Sequence, residues 1–261
     1  MRNAFASKMI QLGEDENNIF LTGDLGFMAL EGVSKSFGKR FINCGVSEQN
    51  MIGVAAGFAK SGYSVYAYSI APFIYARPFE QIRNDIALPN VSVCLIGNGG
   101  GYAYGYMGPT HHALEDISAM NSLGLDVFVP AFDHDIDSII DNLNGPSYLR
   151  LGYETLPQGK TCPDYKPWRK VSDGKNGVAI ALGPMTGIVW KAILDLPKNK
   201  RPELWSVTDL DIEKIPLTFF ESVQNKDLYI YEEHIKMGGL GMNVVYEILN
   251  KKMTVNLVNH A

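Results

Sequence analysis

The first part of the chain alternates between short apolar runs and longer stretches with helical periodicity. Short apolar runs bounded by turn residues predict strands, and an apolar repeat of three to four residues predicts helices. The predicted strands cover 18–22, 40–43, 64–68, 91–96, 127–129 and 147–151. The predicted helices cover 2–12, 47–59, 75–88, 112–122 and 133–143, with Ser47 as an N-cap. This alternation predicts a doubly wound, mostly parallel sheet with helices on both faces.

The pattern changes at residues 153–175, which are rich in Pro, Lys and Gly and predict a linker between two domains. The first domain then spans 1–152 and a smaller α/β domain spans 176–261. In the second domain, strands are predicted over 177–182, 204–207, 228–231 and 254–258, and helices over 185–194 and 239–249. A strand is an unusual last element for such a domain, so we expect this domain to be incomplete.

Composition excludes several classes of protein. The 261 residues carry a net charge of −5, which offers no electrostatic footprint for nucleic acid or an anionic membrane surface. The three cysteines are far apart and form no CxxC pair, which argues against a zinc site and a disulfide framework. The N-terminus lacks the apolar core of a signal peptide, and no apolar run approaches the length of a membrane span. These features predict a cytoplasmic protein.

One carboxylate stands out within residues 41–62. Glu48 is the only charged residue between Arg40 and Lys60. An acidic residue is favourable in the first turn of any helix, so a purely structural role is the simpler interpretation. The helix that follows carries small residues on several faces, which predicts burial all round: Gly53, Ala55, Ala56, Gly57 and Ala59. Burial favours the protonated form of a carboxyl group and would let Glu48 hold or share a proton.

An aromatic residue and an arginine follow the strand at 64–68. Phe73 is predicted to lie in the loop at the carboxyl end of this strand, where open α/β sheets bind ligands. There its ring would offer a stacking face for a planar heterocycle. Phe79, Ile82 and Ile86 share one helix face and are predicted to be core residues. Arg77 lies on the same predicted helix, where a solvated or paired charge is the simpler interpretation.

The segment 97–117 contains six glycines and three tyrosines, which predict a loop that brings backbone close to a ligand. It contains no GxGxxG or GxxxxGKS unit, so a phosphate cradle is not predicted. His111 could shuttle a proton near neutral pH, or could merely cap the next helix. His112 is adjacent, but no other Cys or His lies at ligand spacing, so a metal site is not predicted.

Three segments together carry a family resemblance: GVSEQNMIGVAAGFA at 45–59, GPTHH at 108–112 and EEHIKMGGLG at 232–241. They resemble the pyrimidine-binding and C-terminal domains of transketolase-like enzymes that use thiamine diphosphate (ThDP), including 1-deoxyxylulose-5-phosphate synthase. The resemblance implies a doubly wound pyrimidine-binding domain followed by a transketolase C-terminal-like domain.

The resemblance also implies roles for individual residues. Glu48 would bind N1′ of the ThDP aminopyrimidine and relay a proton, and Phe73 would stack on that ring. His111 would contact the substrate near the reacting carbon, and Arg77 would bind a substrate phosphate. The cofactor cleft would be lined by Asp24, Leu25 and Ile70.

The chain departs from the family pattern where substrate is bound. Met107 replaces an acidic residue that contacts a donor hydroxyl, Tyr153 replaces an arginine that binds acceptor phosphate, and His112 replaces a glutamine. Arg150 is near Tyr153 but would point to the opposite face of the strand. Since unpaired polar groups are costly to bury, these changes predict a substrate other than an ordinary pentose phosphate. A less phosphorylated sugar, a nucleotide-linked sugar and a short 2-oxo acid remain open.

The sequence contains no GDG motif, with which the family holds Mg²⁺ and the diphosphate. The resemblance is therefore to the small subunit of a split transketolase, with Mg²⁺ held by a large partner subunit. It implies a heterotetramer with a homodimer contact through the helix 48–60, and transfer of a two-carbon ketol unit to an aldehyde. The alternatives are the β subunit of a 2-oxo acid dehydrogenase E1 component, a non-catalytic partner-stabilising subunit, and a plain nucleotide-binding protein.

Overall fold

The computed structural model describes residues 1–26, 28–153 and 155–260. Residues 259 and 260 are described by their backbone alone, and Phe27, Glu154 and Ala261 lie outside the described residues. The chain forms two compact units. The first contains Met1–Phe128 and Ile136–Tyr153, and the second contains Val129–Asp135 and Glu154–Ala261. In the described part of the chain, no helix is long and apolar enough to span a bilayer.

The first unit is built on a parallel sheet, as the sequence predicts. Its strands are β1 (Asn18–Thr22), β2 (Phe41–Asn43), β3 (Ser64–Ile70), β4 (Val93–Asn98), β5 (Asp126–Phe128) and β6 (Ser147–Leu151). Within the described residues they lie in the order β2-β1-β3-β4-β6-β5, and every pairing is parallel. β1 and β6 are buried along their whole length, since helices cover both faces of such a sheet.

The helices that precede or connect these strands differ from the prediction in three places. They are α1 (Arg2–Leu12), α2 (Glu31–Phe37), α3 (Glu48–Lys60), α4 (Ala71–Ala76), α5 (Phe79–Gln81), α6 (Asp116–Ser122) and α7 (Asp135–Asp141). α2 was not predicted. The helix predicted over 75–88 begins at Ala71, breaks around Pro78, which lacks the N–H that a continuous helix requires, and ends as a π-helix. The helix predicted from His112 begins only at Asp116.

The parallel arrangement decides where the candidate residues meet. The carboxyl ends of all strands of a parallel sheet lie at one edge. β1, β2, β3, β4 and β6 therefore deliver to this edge the turns and loops that follow them, among them the start of α3, the start of α4 and the glycine-rich loop.

The second unit contains β7 (Trp168–Ser172), β8 (Val178–Leu182), β9 (Glu203–Val207), β10 (Asp227–Tyr231) and β11 (Asn256–His260). Among the described residues their order is β11-β10-β8-β9-β7, with β7 antiparallel to β9 and the other pairings parallel. β7 lies inside the segment 153–175 that the sequence suggests is a linker. The helices are α8 (Met185–Asp195), α9 (Leu217–Val223), which was not predicted, and α10 (Leu240–Asn250).

The GGLG segment opens α10. The buried carboxylate of Glu232 accepts hydrogen bonds from the backbone N–H of Leu240 at 2.7 Å and of Gly241 at 3.0 Å. These are among the N–H groups that a helix leaves unpaired at its start. A side chain at Gly239 would collide with Glu232, so glycine is required there for close packing.

Candidate functional site

Glu48 lies in the first turn of α3 and is buried, with 4% of its surface exposed. Its Oε1 accepts a hydrogen bond from Ser69 Oγ at 3.3 Å, and its Oε2 accepts one from Arg77 Nη1 at 2.8 Å. The predicted burial of this carboxylate is confirmed. Ser47 occupies the N-cap position, as predicted, but its side chain makes no capping hydrogen bond.

Phe73 and Arg77 form a second part of the site. Phe73 belongs to the first turn of α4 and not to the predicted loop, because the helix starts directly after β3. The Arg77 guanidinium lies 3.8 Å from the centroid of the Phe73 ring, which is a close cation–π contact. Arg77 therefore contacts both the flat face of Phe73 and the carboxylate of Glu48. Phe79, predicted to be buried, is 37% exposed.

His111 contacts Phe73 and thereby joins the group formed by Glu48, Phe73 and Arg77. The two ring centroids are 5.2 Å apart, with the rings edge to face. The His111 ring also meets Tyr104 edge to face, at a centroid distance of 5.9 Å. The Tyr104 hydroxyl in turn accepts a hydrogen bond from Asn98 Nδ2 at 2.8 Å. Thr110 Oγ1 lies 3.0 Å from His111 Nδ1.

Sequence reasoning missed Tyr104 and Asn98. Partial burial raises the pKa of the Tyr104 phenol, which keeps the hydroxyl protonated near neutral pH. Asn98 is the last residue of β4, and a polar side chain at the carboxyl end of a central strand was an available signal. With them, a continuous network of contacts runs from Asn98 through Tyr104, His111, Phe73 and Arg77 to Glu48.

The remaining predicted substrate residues lie on the glycine-rich loop or follow β6. His112 Nε2 lies 2.9 Å from the carbonyl oxygen of Gly105, and its ring meets Tyr102 edge to face, so it braces the loop. Met107 and Tyr153 are exposed, at 45% and 68%. At these two positions, where the family pattern has charged residues, the first unit therefore presents accessible apolar surface.

The predicted cofactor-lining residues lie at the carboxyl ends of β1 and β3. Asp24 Oδ1 accepts a hydrogen bond from Asn43 Nδ2 at 3.1 Å, and its backbone N–H donates to Gly45 at 2.9 Å. These bonds join the turn after β1 to the turn before α3. Leu25 is half-buried next to Asp24. Ile70 ends β3 directly after Ser69, the partner of Glu48.

A buried ion pair anchors the glycine-rich loop from below. Arg150 Nε lies 3.1 Å from Asp116 Oδ2, which also accepts the Tyr148 hydroxyl at 2.7 Å. Arg150 Nη2 donates to the carbonyl oxygen of Ala113 at 2.8 Å, and Ala113 pairs with Gly101 across the loop. Arg150 is buried and Tyr153 is exposed. β6 ends at Leu151, so Tyr153 lies beyond the strand on which opposite faces were predicted.

One face of α3 stays open, contrary to the prediction of burial all round. Gly53 and Gly57 are exposed, and a side chain built at either position would meet nothing within 4 Å. At the start of the helix, a cleft of about 690 Å³ opens between residues 46–50 and Arg77. Across residues 1–26, 28–153 and 155–260, no group of three or more His, Cys, Asp or Glu side chains is placed to hold a metal ion.

The aminopyrimidine ring, which the resemblance implies as a ligand, can be tested against this geometry. The ring needs an aromatic face to stack on and a buried carboxylate that accepts a hydrogen bond from its N1′ side. The Arg77 guanidinium is itself planar, stacks on Phe73 and donates to Glu48 Oε2, so it stands in for such a ring. The residues of this site therefore fit the pyrimidine half of ThDP.

Comparison with known proteins shows the family to which the chain belongs. Residues 1–156 match the family described as the pyrimidine binding domain of transketolase. The chain is 28% identical to one of the subunits of apulose-4-phosphate transketolase from Phocaeicola vulgatus, over 98% of this chain and 86% of that protein. It is 30% identical to a putative transketolase C-terminal section of Methanocaldococcus jannaschii, over 97% of this chain and 84% of that one.

A solved structure described as a split gene transketolase, in the form of an inactive beta4 tetramer, has the same fold. The TM-score is 0.81 at 29% sequence identity, and the match covers 99% of this chain and 87% of that chain. The chain therefore belongs to the transketolase family: it carries that family's pyrimidine-binding domain and is homologous, along nearly its whole length, to one chain of split transketolases.

Proposed function

We propose that this chain is the pyrimidine-binding subunit of a ThDP-dependent, transketolase-like transferase. It would act on a ketose-type donor and pass a two-carbon ketol unit to an aldehyde acceptor. The observation that carries the proposal is the buried Glu48 carboxylate, one oxygen of which is bound by a planar cation that lies on the Phe73 ring. A carboxylate and an aromatic face in this arrangement are the two contacts that the aminopyrimidine needs.

Each residue near the cofactor then has a defined task. ThDP, when bound, would supply a nucleophilic carbon for the donor carbonyl and a ring that takes up the electron pair of the carbon–carbon bond that is cleaved. Glu48 Oε2 would hold the proton at the N1′ side of the aminopyrimidine. Ser69 fixes the orientation of the carboxylate through Oε1, and Phe73 presents the stacking face. The low exposure of Glu48 keeps water away from this proton.

His111 is proposed to handle the proton on the substrate. Its ring meets the Phe73 ring edge to face, with 5.2 Å between the centroids. An imidazole there can donate a proton to an oxygen of the reacting carbon or accept one from it. Tyr104, held by Asn98, restricts the position of the imidazole.

The substrate is proposed to be a sugar with few phosphate groups bound by this chain. Residues 97–114 contain no Lys or Arg, and Met107 and Tyr153 present apolar surface where the family pattern has an acid and an arginine. A phosphate placed there would lack a partner from these residues, at a cost in binding free energy. The test is to compare phosphorylated and unphosphorylated aldehyde acceptors by kcat/KM; a strong preference for the phosphorylated form would contradict this assignment.

A large partner subunit is proposed to hold Mg²⁺ and the diphosphate in a heterotetramer. The likeness to one of the subunits of apulose-4-phosphate transketolase and to a split gene transketolase supports a divided enzyme. The open face of α3, with Gly53 and Gly57, suits a close helix–helix contact between two copies of this chain. We further propose a cytoplasmic location, since the separated cysteines fit a reducing compartment.

The deciding experiment is calorimetric titration of ThDP and Mg²⁺ into this chain alone and into its mixture with a candidate large subunit. We expect tight, magnesium-dependent binding only in the mixture. In the mixture, Glu48→Gln should lower turnover by about 10²–10⁴-fold, because the proton-holding group is lost. Glu80→Gln, at an exposed position after the α4 break, is the matched control. Full turnover by Glu48→Gln would point instead to a non-catalytic subunit.

A further inference from the structure

Arg77 is bound at the place that the proposed function assigns to the aminopyrimidine. Its guanidinium satisfies Glu48 Oε2 and covers one face of Phe73. We propose that Arg77 is a positioning residue that holds the Glu48 carboxylate in the absence of cofactor and is displaced when the aminopyrimidine binds. This inference rests on the proposed function, because it names the group that the cofactor must replace.

The hydrogen bonds of Glu48 show which contact can be exchanged. Oε1 is bound by Ser69, which is fully buried at the end of β3. Oε2 is bound by Arg77, whose side chain is 44% exposed. An incoming ring donor can reach the carboxylate by replacing the exposed partner, whereas Ser69 has no exposed surface through which a ligand could approach.

The guanidinium occupies the space between Phe73 and Glu48 that such a ring would need. At 3.8 Å from its centroid, the guanidinium carbon lies at van der Waals distance from the Phe73 ring. A second planar group cannot lie over the same face at the same distance. A ring that stacks on this face and also reaches Glu48 Oε2 must therefore displace the guanidinium.

The local chain conformation allows Arg77 to move. Arg77 follows the last residue of α4 and precedes Pro78, at the break in the helix. Its side chain lines the open cleft of about 690 Å³, into which the guanidinium can turn. Movement of the side chain would therefore leave the buried residues of α4 in place.

The expected effect is an increase in affinity when Arg77 is removed. An ion pair with one exposed partner and a cation–π contact are each modest, and together their loss should tighten pyrimidine binding about tenfold. If Arg77 merely supported the fold, or bound the ring directly, its removal would weaken pyrimidine binding.

The test uses the full chain in its mixture with the candidate large subunit. The probe is the free pyrimidine moiety of the cofactor, 4-amino-5-hydroxymethyl-2-methylpyrimidine, titrated at millimolar concentrations by NMR. Arg77→Ala should bind this probe about tenfold more tightly than wild type, and Arg77→Lys, which keeps the charge without the planar stack, should lie between them. Arg83→Ala, at an exposed arginine in the π-helix, should match wild type. Glu48→Gln should bind more weakly than wild type.

The outcomes separate the two proposals. Equal or weaker binding by Arg77→Ala would overturn the displacement and leave the pyrimidine site intact, provided that Glu48→Gln still weakens binding. Absence of binding in both wild type and Arg77→Ala, or undiminished binding in Glu48→Gln, would overturn the proposed function itself. Circular dichroism of each variant distinguishes these results from loss of fold.

Discussion

At the scale of single residues, the site depends on side chains that hold other side chains. Glu48 is oriented by Ser69, and His111 by Phe73 and Tyr104. The structure therefore distributes the site over more residues than the motif GPTHH and the isolated glutamate indicate. Tyr104 allows this distribution to be tested through activity.

Replacing Tyr104 by Phe should lower kcat/KM of the assembled enzyme by several-fold while leaving the fold intact. The substitution removes the hydroxyl that accepts from Asn98 Nδ2 but keeps the ring against His111. A lost hydrogen bond of this kind costs about 1 kcal/mol in stability. Turnover assays and urea denaturation check this, with Tyr106→Phe, at a residue that is 99% exposed, as the control. Equal activity of the two variants would contradict the assigned role.

The buried thiol of Cys94 should make the stability of the fold depend on pH. Burial raises the pKa of its thiol from 9.0 to about 12, so the folded chain keeps the thiol neutral. The unfolded chain releases this proton above about pH 9 and is thereby favoured. Stability should therefore fall between pH 9 and 12 by about 1.4 kcal/mol per pH unit from this group, and show no such contribution below pH 9. Denaturation of wild type and Cys94→Val across this range checks it; equal slopes would contradict the prediction.

At the scale of elements, the glycine-rich loop is held by a buried ion pair between α6 and β6. Arg150 binds both Asp116 and the carbonyl oxygen of Ala113, so one side chain joins strand, helix and loop. A side chain at Gly100 would collide with Arg150, which explains why glycine lies at this point of the loop. Arg150 thus positions the loop that carries His111.

Replacing Arg150 by Met should destabilise the first unit by about 3–5 kcal/mol, because Asp116 would remain as a buried, unpaired charge. The double variant Arg150→Met/Asp116→Leu should recover part of this loss, since it removes both charges. Chemical denaturation of the single and double variants measures the coupling. If the changes in the free energy of unfolding caused by the two substitutions were additive, the ion pair would not be the anchor of the loop.

At the scale of the whole molecule, the open face of α3 is where a second copy is expected to dock. Gly53 and Gly57 lie four residues apart on an exposed helix face, and small residues allow two helix backbones to approach closely. The same chain would then present its Glu48 site near that contact, because both belong to one helix.

Gly57→Leu should abolish this self-association without unfolding the chain. A side chain at this position meets nothing within 4 Å, and replacing glycine inside a helix gains about 0.8 kcal/mol in propensity. Sedimentation velocity should show a smaller species than wild type, with an unchanged or higher melting temperature. Lys191→Leu, at an exposed position on α8, is the control. Association equal to wild type would exclude α3 as the contact.

The sequence by itself determined the order of the longer elements, the parallel sheet of the first unit and the burial of Glu48. These follow from apolar periodicity and from one charge among small residues, which are local properties of the chain. It misplaced Phe73 in a loop and missed α2, α9 and β7, since short elements are stabilised by packing more than by their own pattern.

Only the tertiary structure decided which side chains meet. Arg77, Glu48 and Ser69 come from three different elements, and His111, Tyr104 and Asn98 join them only through the loop after β4. Sequence spacing cannot reveal that a guanidinium lies on an aromatic ring or that a buried arginine supports a distant loop. Those contacts exist because a parallel sheet brings the ends of separate strands to one edge, where residues far apart in the chain become neighbours.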